Sequence, residues 1–142
     1  MKSVGQALKD PYKFDPCHKA IREPFDYYQW GNDFLRPLVI DEDSEFFNAE
    51  KCKEIESILA KGENVVILSN HQTEADPQVL SILLERAGFS SLAEKIIFIA
   101  GHKVTNDPIA IPFSMGRNLL CIHSKKHIKN PPEEITQTHN RS

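Results

Sequence analysis

Cysteine is scarce in this chain, and Cys17, Cys52 and Cys121 stand far apart. With an odd number, no C-x-x-C pair and no dense framework, a disulfide-scaffolded secreted domain is excluded; reduced thiols in an intracellular compartment are the plain inference. The six histidines include no His-Glu-x-x-His helix and no Cys/His pairing at zinc spacing, so neither a metal site nor a cofactor is expected. No apolar run approaches the roughly 18–20 residues of a membrane span, which leaves only peripheral contact with a bilayer open. Met1-Lys2-Ser3 leads into Asp10-Pro11 without the apolar segment of a signal peptide. A net charge of −3 gives no electrostatic footprint for nucleic acid.

What is present suffices for one ordinary domain: 142 residues, 40% of them hydrophobic. Seven of the twelve aromatics fall between Tyr12 and Phe34, so residues 1–47 read as an aromatic-rich segment that packs on the domain formed by 48–142. From Asn48 to Lys61 the residues Ala49, Cys52, Ile55, Ile58 and Leu59 recur at helical spacing, and Gly62 follows as a stop. Val65 to Leu68, Ile96 to Ala100 and Leu119 to Ile122 are short apolar runs that read as buried strands. A helix starting at Asp76-Pro77 separates the first two. That β-α-β order implies an α/β fold with a mainly parallel sheet flanked by helices. Pro131-Pro132-Glu133-Glu134 predicts a turn into a final helix.

The segment Asn70-His71-Gln72-Thr73-Glu74-Ala75-Asp76 follows the first of those strands. Histidine suits general-base work near neutral pH, and a carboxylate that accepts its second ring proton fixes the tautomer and stabilises the imidazolium. Five residues apart, the pair would sit about 140° from one another on a regular helix. His71 is therefore expected in a loop, with Asp76 as the N-cap, Pro77 at the first helical position and Gly88 ending the helix. Backbone N–H groups and the positive dipole end of that helix would then lie beside His71, where they could stabilise an oxyanion. The ordinary alternative is a simple cap and a loop histidine. Farther along, Arg117, Lys125, Lys126, Lys129 and Arg141 face only Glu133 and Glu134 in residues 117–142. This basic stretch fits either an anionic phosphate or a solvated tail.

Three blocks, in order, carry a family resemblance. They are His18-Lys19-Ala20-Ile21-Arg22-Glu23-Pro24-Phe25-Asp26-Tyr27-Tyr28; Asn64-Val65-Val66 running into Ser69-Asn70-His71-Gln72-Thr73-Glu74-Ala75-Asp76-Pro77; and Pro112-Phe113-Ser114-Met115-Gly116-Arg117-Asn118-Leu119 with Ser124-Lys125-Lys126-His127. From about Phe14 to Ser142 the chain resembles the soluble, plastid-type glycerol-3-phosphate acyltransferases, which use acyl groups carried on acyl carrier protein. Gly101-His102-Lys103 departs from the Gly-Asp-Arg of plant relatives.

The resemblance implies transfer of an acyl group from acyl carrier protein, or from coenzyme A, to the sn-1 hydroxyl of glycerol 3-phosphate, giving lysophosphatidic acid. It makes His71 the base and Asp76 its orienting partner, with no covalent acyl-enzyme. It assigns Lys126 and His127 to the substrate phosphate, and Arg117 joins them as a site-proximal, substrate-binding residue. The family's later arginine-pair box has no counterpart here, so a partial acyltransferase domain lacking its C-terminal half is expected. The rival readings are a non-catalytic remnant that at most binds acyl carrier protein and a weak thioester hydrolase. By the same resemblance the compartment is the plastid stroma, with a bacterial cytoplasm as the alternative.

Overall fold

The computed structural model describes residues 12–40 and 42–122. The expected turn and helix after Pro131, and the basic residues from Lys125 onward, lie outside the described residues. The described chain divides into two compact units, one running to Tyr28 and resuming at Ile97, the other Gln29–Ile96.

The first unit is built on a three-stranded sheet in the order β1-β3-β2, with β1 Cys17–His18, β2 Ile97–Gly101 and β3 Asn118–Ile122. β2 runs parallel to β3 with Phe98 opposite Leu119, and the short β1 runs antiparallel to β3 with His18 opposite Leu119. Because side chains alternate across a sheet, His18, Leu119 and Ala100 fall on one face and are buried. Ile97, Ile99, Leu120 and Ile122 fall on the other and are exposed.

Two of the sequence blocks meet in this unit. The Ile21 N–H donates to the Met115 carbonyl at 2.8 Å, and the Ala20 N–H donates to Asn118 Oδ1 at 3.1 Å. Gly116 lies against the backbone of Tyr27 and Tyr28: a Cβ there would fall 2.5 Å from the Tyr27 carbonyl oxygen. Here glycine answers to a close approach, not to backbone conformation, since its φ is −82°.

In the second unit, α2 Glu50–Ala60 and α3 Asp76–Arg86 each follow the expected apolar period, and α4 Ser90–Lys95 adds a third packing element. Cys52, Leu84, Phe89, Leu92 and Ala93 form their common core, flanked by Ala49, Ile55, Leu59 and Leu80. Each Leu or Phe buried there contributes about 1.5–3 kcal/mol. Gly62 and Gly88 end α2 and α3 at φ of +79° and +87°, the left-handed cap that glycine adopts at little cost. A polar tie fastens α3 to α1 Tyr27–Leu35 and its terminal 3₁₀ turn. Asn32 Nδ2 donates to Glu85 Oε1 at 2.9 Å, and Arg36 Nη2 donates to Glu85 Oε2 at 2.9 Å.

In one element the fold departs from the sequence reading. Val65–Leu68 is not a strand: it is coil, and Val66, Ile67 and Leu68 are exposed, Leu68 at 93%. The β-α-β unit expected across α3 is therefore not formed. An apolar run supplies the side chains of a buried strand, but a strand also needs a ladder partner for its backbone. Among the described residues this run has none. The remaining helices, α5 His102–Asn106 and α6 Ala110–Met115, connect β2 to β3. The α/β class stands, with one parallel and one antiparallel strand pair.

Candidate active site

His71 sits in the coil that enters α3, and Asp76 is the first residue of that helix. The loop turns back through the hydrogen bond from Asp76 N–H to the Thr73 carbonyl, 3.0 Å, and this brings the two side chains together. His71 Nδ1 lies 2.7 Å from Asp76 Oδ2. The carboxylate also accepts the Gln72 N–H at 2.8 Å and the Thr73 N–H at 3.2 Å.

Those bonds settle the electrostatics. Burial alone would push the Asp76 carboxyl up, but hydrogen bonds from Gln72, Thr73 and His71 together outweigh it and hold the group below its ordinary value. An ionised carboxylate only accepts, so Nδ1 carries the proton. Nε2 is left with its lone pair, and among the described residues it has no partner. The imidazole is 68% exposed and open to a reactant. The arrangement can take a proton from a hydroxyl at Nε2 while Asp76 stabilises the resulting imidazolium.

Two local expectations are corrected. Asp76 is not the N-cap; Ala75 holds that position, and the carboxylate turns back to the loop. The helix start offers no ready oxyanion site either. The Ala75, Asp76, Gln78 and Val79 N–H groups bond to Thr73 Oγ1, the Thr73 carbonyl and the Ala75 carbonyl, and Pro77 has no N–H. The Gln72 and Thr73 N–H groups are already committed to Asp76. The dipole of the helix still favours negative charge there.

Arg117 belongs to the other compact unit and is buried, 3% exposed. Its guanidinium lies 4.7 Å from the centre of the Tyr28 ring, and that of Arg22 lies 4.6 Å from the same ring. Arg22 is also paired with Asp26 at 2.9 Å. Tyr28 therefore carries two cations, a contact that sequence spacing does not announce because 89 residues separate Tyr28 from Arg117. Lys126 and His127 lie outside the described residues. The backbone donors of Gln72 and Thr73 were likewise missed, since any residue type can supply them.

His18 is a second histidine with a defined environment. It is buried, its Nε2–H donates to the Met115 carbonyl at 3.2 Å, and Phe14 and Tyr12 meet its ring edge-on. Burial pulls its pKa down, and the Met115 carbonyl and the Asp15 charge only partly offset that. The thiols of Cys17, Cys52 and Cys121 are all free. Among the described residues no group of three or more His, Cys, Asp or Glu could hold a metal ion. No helix among them is long and apolar enough to cross a membrane.

The acyltransferase family profile matches residues 48–141, about two thirds of the chain and a span that includes both His71 and Asp76. The chain belongs to the acyltransferase family. Among curated acyltransferases it is 52% identical over 128 residues to the chloroplastic glycerol-3-phosphate acyltransferase of Spinacia oleracea, covering 90% of this chain and 27% of that protein. It is 50% identical to the chloroplastic glycerol-3-phosphate acyltransferase ATS12 of Cucurbita moschata, over 92% of this chain and 28% of that protein. The corresponding protein of Arabidopsis thaliana is 49% identical over 90% of this chain and 28% of its own length. The chain thus spans about a quarter of the length of the curated relatives it matches. In this chain the second sequence block supplies the His71–Asp76 pair, while the first and third blocks are tied together through Met115, Gly116 and Tyr28.

Proposed function

We propose that this sequence forms part of a glycerol-3-phosphate 1-O-acyltransferase of phospholipid and glycerolipid biosynthesis, acting in the plastid stroma with acyl carrier protein as acyl donor. The observation that carries the reading is the His71–Asp76 hydrogen bond with Nε2 left outward, in a chain about half identical to chloroplastic glycerol-3-phosphate acyltransferases.

The sn-1 hydroxyl oxygen attacks the thioester carbonyl carbon while His71 Nε2 takes the hydroxyl proton. Asp76 holds the imidazolium. Collapse of the tetrahedral intermediate breaks the C–S bond, and His71 returns the proton to the leaving thiolate. The products are 1-acylglycerol 3-phosphate and the free carrier thiol, and no acyl-enzyme forms. Lys126 and His127 bind the substrate phosphate, the lysine as a point charge and the histidine as a hydrogen-bond donor. Arg117, held against Tyr28, adds positive charge for binding the anionic substrate. Coenzyme A thioesters share the reacting group and form the alternative donor.

The test is acyl transfer by an enzyme containing this sequence. His71→Ala should lower turnover by about 10²–10⁴-fold, the usual loss on removing a general base. Unchanged turnover would remove His71 from that role. Fatty acid release independent of glycerol 3-phosphate would favour a thioester hydrolase, and binding of the carrier without turnover would favour a non-catalytic module.

A further inference from the structure

We draw no further inference here: the strongest candidate, the exposed apolar face that Ile97, Ile99, Leu120 and Ile122 form on the three-stranded sheet, carries nothing because nothing in the structure shows what covers it.

Discussion

His71 Nδ1 and Asp76 Oδ2 lie 2.7 Å apart across a loop whose own backbone grips the same carboxylate. Asp76 therefore has two tasks. It orients the imidazole, and it closes the Gln72–Thr73 turn that presents the imidazole to solvent.

Replacing Asp76 by Asn separates those tasks from the side-chain shape. The amide oxygen still accepts one backbone N–H, but it carries no charge to stabilise an imidazolium. Acyl transfer by the Asp76→Asn enzyme should fall mainly in kcat, with the Michaelis constant for glycerol 3-phosphate little changed. The ¹⁵N shifts of His71 should show loss of the single Nδ1–H tautomer. An unaltered tautomer with reduced kcat would assign the loss to something other than orientation.

Lys126 carries the opposite expectation. If it contacts the substrate phosphate, Lys126→Ala removes a charge-assisted hydrogen bond of about 1.5–3 kcal/mol. The apparent Michaelis constant for glycerol 3-phosphate should rise about 10–100-fold while kcat changes less. A constant that does not move would take Lys126 out of the phosphate site.

The extent to which the molecule was legible in its sequence follows from what each feature depends on. The helix Glu50–Ala60 depends on local period and a glycine stop, and both are visible in Ala49, Cys52, Ile55, Leu59 and Gly62. The strands at Ile97 and Asn118 depend on apolar runs that do find a ladder. Val65–Leu68 looks the same in sequence, yet pairing is a property of the partner, and the segment is exposed coil. The His71–Asp76 contact was legible because both side chains are distinctive and close in sequence. The Gln72 and Thr73 donors were not, and neither was the burial of Arg117 against Tyr28, which depends on a long-range approach.

Gly116 provides a sharp test of that approach. An added Cβ would lie 2.5 Å from the Tyr27 carbonyl oxygen and 2.6 Å from the Tyr28 nitrogen, both backbone atoms that have no rotamer to yield. Gly116→Ala should destabilise the protein by about 1–3 kcal/mol through overpacking, measured by urea unfolding. Gly101→Ala is the matched control, because an added Cβ there meets nothing within 4 Å. Its change should stay within about 0.5 kcal/mol. Equal effects at the two positions would refute the close packing of Gly116 on Tyr27 and Tyr28.

Acid sensitivity should centre on His18. Burial, opposed by the Met115 carbonyl and Asp15, lowers its folded-state pKa, so the folded protein favours the neutral ring that Tyr12 and Phe14 enclose. Above pH about 6.5 the unfolded chain is also neutral at this position, and His18 adds no pH dependence. Below that value the unfolded chain binds a proton that the folded chain resists, so stability falls with pH until the folded-state pKa is passed. Asp76 does not share this window; its lowered pKa confines its effect to more acidic solution, below its ordinary 3.8. Urea midpoints should therefore drop between pH 7.5 and pH 5.5, and the drop should be smaller in His18→Gln, whose amide can still donate to Met115. A drop as large in the variant would show that His18 titrates as it does in the unfolded chain, and that its burial under Tyr12 and Phe14 does not resist the proton.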